Sequence, residues 1–206
     1  MAPSAKILDE TLGLRERKKL ATTRSLTSTA RRLAAERGID RFTIEDLADE
    51  AGISRRTFFN YFSSKEEALL GVHHKSKVTA AAQEVFLTDG PTGHLLQDLL
   101  TVVAAGFDDP QPDPKELRNL KAALQQSPRL LELHLRKHIE RSSEIKALIA
   151  QREGLAPDHP SCILAANLLS AILQSSSEIF LAEGNTSPFD EIVSARLKDA
   201  PRLFAK

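Results

Sequence analysis

Between Phe42 and Lys65 the chain reads FTIEDLADEAGISRRTFFNYFSSK, and this stretch leaves the backbone few choices. Thr43 is a good helix N-cap. Asp46, three residues on, makes a capping-box-like pair, with Asp where Glu or Gln is usual. Glu45 and Asp46 also suit the positive end of a helix dipole. Ile44, Leu47, Ala48 and Ala51 recur at helical spacing and predict one buried face. Gly52 breaks that helix, Ile53 plugs the turn, and Ser54 caps a second helix over 55–62. Phe58 and Phe62 are four apart and turn inward together. Arg55, Arg56, Thr57, Asn60 and Tyr61 are left facing outward, and Ser63 or Ser64 caps a further helix that begins with Glu66 and Glu67. Two short helices around a glycine turn, the second bearing adjacent arginines, make a helix-turn-helix pattern over 43–62. The second helix is predicted to enter the major groove of DNA.

The flanking chain supports an all-α fold. Leu26, Ala30, Leu33 and Ala34 lay one apolar stripe on a helix starting near Leu14, and Gly38 is placed to end it. After the helix-turn-helix, a long fourth helix is expected to about Leu87, with a break over 89–93 and a fifth helix over 94–107. The run DDPQPDP, 108–114, is a loop because three prolines in close order cannot be helical. Further helices are expected over 114–126, 128–153, 159–183 and 188–204, nine in all. Prolines stand near their starts, and Gly154 and Gly184 suit helix ends. There is no strand-like alternation and no internal repeat. Residues 1–13 have no sustained period and are expected to form a flexible arm. The division that follows is a DNA-binding domain over 14–75 and a helical body over 76–206.

Composition narrows the function classes. The 206 residues carry 28 basic and 28 acidic side chains, so bulk charge does not coat nucleic acid. A local basic face is a different matter. From Thr11 to Arg41 there are nine basic and three acidic residues, a local excess of six directly before the helix-turn-helix. A single cysteine, Cys162, excludes an internal disulfide framework and fits a reducing cytoplasm. The N-terminus has no charged-then-apolar export pattern. The most apolar run, from Cys162 to Leu173, is too short to span a bilayer and is interrupted by Asn167 and Ser170, so no membrane partner is expected.

Thr43, Ile44, Leu47, Ala48, Ala51, Gly52, Ile53, Ser54, Thr57, Phe58, Tyr61, Phe62, Ser64, Lys65 and Leu69 closely resemble the DNA-binding domain of TetR-family bacterial repressors. The resemblance covers roughly 14–75. The body, with its SPRLLELHLRKHIERSSEIKALIAQREG segment, looks like the ligand domain of many actinobacterial TetR-like regulators. The resemblance implies a nine-helix TetR-like fold and a homodimer on a palindromic operator. It also implies that a ligand in the C-terminal body shifts the two DNA-reading heads apart and so releases the operator. Two positions depart from the common pattern: Arg56 stands where many members have Gly, and Phe59 where many have Tyr. Phe59 lacks a hydroxyl for a phosphate but can meet a thymine methyl.

Arginine offers paired donors that fit guanine O6 and N7. Arg55 and Arg56 lie at the helix start, where groove-inserted helices touch base edges, so at least one is expected to read guanine; the alternative is that both hold phosphates. Thr57, Tyr61 and Lys65 match positions that contact phosphates in the family, and hydroxyl and ammonium groups suit that use. Thr43 can serve as a cap and as a phosphate donor. Ser54 completes the DNA-facing set. Asn60 either bonds an adenine edge or phosphate, or is simply solvated. Arg15, Arg17, Lys18 and Lys19 either reach the adjacent DNA backbone or form a solvated face.

In the body, Leu168, Leu169, Ile172, Ile179 and Phe180 on one helix are expected to form a four-helix dimer interface together with Phe189, Ile192, Val193 and Leu197 on the last. The alternative is an intramolecular core. Leu, Ile, Val and Ala dominate, so an effector pocket would be mainly aliphatic, with Asn119, His134, His138, Asn167, Ser170, Gln174 and Glu178 as candidate polar contacts. No nucleophile motif, phosphate loop or glycine fingerprint is present, so no enzyme activity is expected. His134 and His138 are four apart, but no further ligand is evident nearby in sequence, so neither a metal nor a cofactor is expected. The competing reading is a DNA-binding regulator without a small-molecule effector, controlled by a partner or by its own abundance.

Overall fold

The computed structural model describes residues 14–71, 77–105 and 113–203. The expected arm, residues 72–76, most of the proline-rich loop and residues 204–206 lie outside the described residues. Among the described residues there are ten α-helices and no strand. They are α1 (Leu14–Arg37), α2 (Ile44–Glu50), α3 (Arg55–Phe58), α4 (Lys65–Leu70), α5 (Lys77–Leu87), α6 (Leu95–Ala105), α7 (Pro114–Gln126), α8 (Pro128–Glu153), α9 (Pro160–Phe180) and α10 (Phe189–Asp199). The expected count of nine is exceeded by one because the fourth helix ends at Gly71, which takes φ 72° and ψ 25°. That left-handed conformation terminates a helix and favours glycine.

The chain divides into two compact units. The first holds α1–α4 together with α7 and the start of α8, to Lys137. It therefore extends beyond the 14–75 boundary expected from sequence. Its core is Leu26, Leu33, Phe42, Leu47, Phe58, Phe62 and Leu69, with Ala123 of α7 and Leu130 of α8 inserted among them. Fully burying an apolar side chain of this size contributes about 1.5–3 kcal/mol, so α7 and α8 are part of what holds the head together. Polar contacts fasten the same elements. Arg31 of α1 donates through Nε to the Leu69 carbonyl at 3.0 Å and pairs with Glu116 of α7, whose other oxygen accepts from Ser28 at 2.5 Å.

The second unit holds α5, α6, the remainder of α8, α9 and α10. Phe86, Leu99, Val102, Val103, Ile149, Cys162, Ala166 and Leu169 form its core. Cys162 is fully buried and packs as a small apolar side chain. The same unit holds a buried ion pair that no local pattern announces. Arg152 Nη2 lies 3.0 Å from Asp98 Oδ2, with side-chain exposures of 4% and 0%. The same nitrogen donates to the Asp89 carbonyl at 3.0 Å, and the guanidinium lies 4.7 Å from the centre of the Phe86 ring. Asp98 also accepts from the Thr92 amide and hydroxyl, at 3.0 and 2.7 Å. Burial pushes this carboxyl upward, but the hydrogen bonds from Thr92 and Arg152 outweigh it and hold Asp98 below the ordinary carboxylate value.

By length and composition alone the whole of α9 is long and apolar enough to cross a membrane, while the run from Cys162 to Leu173 is only part of it. Its buried residues Cys162, Ala165, Ala166, Leu169, Ile172, Ser176 and Phe180 follow helical spacing, so one face packs on this unit's core.

Candidate nucleic-acid interface

The helix-turn-helix is built from short-range caps. Thr43 Oγ1 accepts from the Asp46 amide at 3.1 Å, and Asp46 Oδ2 accepts from the Thr43 amide at 2.7 Å, which completes a capping box. The Thr43 hydroxyl also donates to that carboxylate at 2.8 Å. The Thr43 amide and hydroxyl together hold the Asp46 carboxyl below its usual value. Gly52, at φ 70°, makes the turn, and the Ile53 amide donates back to the Ala48 carbonyl at 2.9 Å. Ser54 Oγ accepts from the Thr57 amide at 3.0 Å and lies 2.8 Å from Thr57 Oγ1. Ser64 caps α4 by accepting from the Glu67 amide, and Ser63 bonds the Glu67 carboxylate.

The reading helix is shorter than the expected 55–62. Regular α-helix ends at Phe58, and the chain continues as a turn in which Asn60 and Tyr61 donate to the carbonyls three residues back. These tighter bonds carry Phe62 back toward the core. Phe58 and Phe62 are both buried, with ring centres 6.1 Å apart. Phe59 stays exposed and meets Phe58 edge-on at 5.6 Å.

The outward set is divided by its partners. Arg55 Nη1 lies 2.6 Å from Glu45 Oε1 of α2, and its guanidinium stands 5.7 Å from the centre of the Phe59 ring. Arg56 is exposed, with no ion pair among the described residues. Asn60 is exposed as well, while Thr57 and Tyr61 are half-buried. Lys65 is engaged within the fold. Its Nζ donates to the carbonyls of Ile39 and Phe42, at 2.7 and 2.8 Å, and lies 5.0 Å from the centre of the Phe42 ring. Two carbonyls at the end of the 3-10 turn Ile39–Arg41 need donors, and Lys65 supplies them, so most of its donor capacity is used within the fold. Arg15, Arg17, Lys18 and Lys19 are all exposed on α1.

The other expected sites are less concentrated. Asn119 and His134 belong to the compact unit of the helix-turn-helix, while His138, Asn167, Ser170, Gln174 and Glu178 belong to the other. His138, Asn167, Gln174 and Glu178 are exposed, and Gln174 and Glu178 bond each other at 3.4 Å. Ser170 donates to the Ala166 carbonyl of its own helix. A cleft of about 340 Å³ lies within the head unit, lined by charged and hydroxyl groups including Ser63, Glu66, Glu67, Arg129, Glu132 and Arg136. Among the expected dimer residues, Leu169, Ile172, Phe180, Ile192 and Val193 are buried within the single chain, and Phe180 meets Phe189 edge-on at 5.5 Å. Leu168, Phe189 and Leu197 are half-buried. Ile163, Leu164 and Ile179 are the large apolar residues that α9 leaves exposed, and only Ile179 was in the expected set.

Residues 26–72 match the family model described as bacterial regulatory proteins, tetR family. The helix-turn-helix segment is thus a tetR-family domain. The chain is similar to the HTH-type transcriptional regulator TcmR of Streptomyces glaucescens, with 29% identity over 165 residues, covering 76% of this chain and 71% of that protein. The segment matched by the family model runs from the buried Leu26 of α1 to just past the glycine that ends α4, so it spans the capped elements described above. The domain and this likeness support a DNA-binding transcriptional regulator.

Proposed function

We propose that this tetR-family regulator is a cytoplasmic homodimer that represses transcription from a palindromic operator and is released by a small, largely apolar effector. The observation that carries the reading is the outward surface of α3. Arg55 and Arg56 project from α3 and Asn60 from the turn that follows, a segment whose other side is held by the buried Phe58 and Phe62. A rigid helix with arginines at its start is suited to base edges, while Thr43, Thr57 and Tyr61 are placed to orient it on the phosphates. Lys65 contributes charge near the same surface but acts chiefly by holding the Ile39–Phe42 turn.

Dimerisation through α9 and α10 is supported by the exposed Ile163, Leu164 and Ile179, since α9 would otherwise leave these side chains in water. A two-fold pair of heads matches a two-fold DNA site. An aliphatic body core supports an apolar effector. A second reading, in which the regulator has no small-molecule effector and is controlled by a partner or by its abundance, is favoured by the local bonds of Ser170 to its own helix and of Gln174 to Glu178.

Selection of duplexes from a random pool by the purified chain tests the main reading: a recovered inverted repeat is expected, and no enrichment would sink it. Thermal-shift screening with acyl chains, hydrophobic drugs and aromatic metabolites separates the two forms of control. Stabilisation by one class supports an effector, and a flat response across all of them favours the second reading.

A further inference from the structure

Arg55 and Arg56 are neighbours in sequence but not in electrostatic setting. Arg55 is tied on two sides, by Glu45 at 2.6 Å and by the Phe59 ring at 5.7 Å. Arg56 has no ion pair among the described residues. The Arg55–Glu45 pair is well exposed, at 62% and 51%, and exposed pairs contribute little to stability. Its consequence is for direction and charge. With Nη1 held against the carboxylate, Nε and Nη2 remain as two further donors, and a pair of guanidinium donors is what matches guanine O6 and N7. Holding the side chain by a carboxylate and a ring removes part of the rotamer freedom that a free arginine would lose on binding. The carboxylate also cancels the charge that would draw Arg55 to a phosphate, because each phosphate neutralised by a free cation releases counterions and a neutral pair does not.

We propose that Glu45 is a specificity-determining residue that aims Arg55 at a guanine edge and keeps it off the backbone, leaving Arg56 to hold a phosphate. This rests on the DNA-reading role proposed above. Glu45 is a positioning residue: it acts through Arg55. Removing its charge therefore has effects of opposite sign on two quantities. Non-specific binding gains a free cation and tightens, while discrimination between bases loses its aimed donor and falls.

The experiment uses the full-length chain and its Glu45→Gln, Arg55→Ala and Arg56→Ala variants. Binding is measured by fluorescence anisotropy over a range of salt, on the duplex recovered by wild-type selection, on versions with each guanine replaced, and on a scrambled duplex. For Glu45→Gln, preference for the guanine at one position per half-site is expected to fall by about tenfold. Affinity for the scrambled duplex should rise several-fold, and the salt slope should steepen by about 0.9 per protomer. Arg55→Ala should lose preference at that same position. Arg56→Ala should weaken all duplexes equally and flatten the salt slope. Unchanged preference and slope in Glu45→Gln overturn the proposal, as does loss of the guanine preference in Arg56→Ala rather than Arg55→Ala. If the wild type recovers no sequence, the DNA-reading role fails and this inference with it. Recovery of a sequence with an unaffected Glu45→Gln variant overturns the role of Glu45 alone. Thermal melting of each variant distinguishes altered reading from altered folding.

Discussion

The caps of the helix-turn-helix and the buried ion pair of the body hold their polar groups by different rules. Around the helix-turn-helix, Thr43 bonds Asp46, Ser54 bonds Thr57, and Ser63 and Ser64 bond Glu67, all partners three or four residues apart. In the body, the governing contact joins Asp98 to Arg152 across 54 residues and is buried. A local cap needs only its own turn of helix to form, and water satisfies its groups when it is lost. A buried ion pair needs the whole unit around it, and neither partner can be removed without stranding the other in a medium that solvates it poorly.

The sharpest test of this contrast is Arg152→Ala, which leaves Asp98 buried and unpaired. The expected loss is about 3–5 kcal/mol in denaturant titration of the body's transition. A loss no larger than that from removing a head cap would collapse the distinction. Gly90→Ala probes the same node from its other side. Gly90 has φ +64°, and an added Cβ would sit 2.4 Å from the Asp98 carboxyl carbon. Left-handed strain and this clash together predict a loss of about 1–3 kcal/mol by the same measurement. Ser54→Ala removes the cap of α3 and should cost about 1 kcal/mol, read as faster amide exchange over 55–62 with the body unaffected. The smallest effect is expected for Glu50→Gln. Glu50 meets Arg32 at 2.6 Å and raises the Arg32 pKa through that bond, yet both groups are substantially exposed. The cost should stay under about 1 kcal/mol and shrink in high salt.

Acid sharpens the comparison in a different way. The carboxyl of Asp98 is held below its unfolded value, so its contribution is complete above about pH 3.9 and is lost as pH falls through the folded value. Stability of the body should therefore decline at the acid end of a pH series, and an Asp98→Asn variant should lose that portion of the decline. An unchanged acid limb in the variant would remove Asp98 from the account.

These differences in range also explain what could be read in advance. Caps, the glycine turn and the inward Phe58–Phe62 pair depend on residues within one or two turns of each other, so the helix-turn-helix, the stripe of α1 and the all-helical class were legible from local pattern alone. The Gly71 stop is equally local, but an isolated glycine inside a helical pattern is tolerated and does not by itself mark an end. Lys65 and Arg55 show where local reading ends. Both look like free cations in sequence, yet one is engaged by carbonyls 23 and 26 residues away and the other by a carboxylate on the preceding helix. The insertion of Ala123 and Leu130 into the head core, and the Asp98–Arg152 pair, were decided only by the tertiary structure. Hydrophobic and ionic partners distant along the chain carry no periodic signal, because periodicity records which face a residue occupies and not what will cover it.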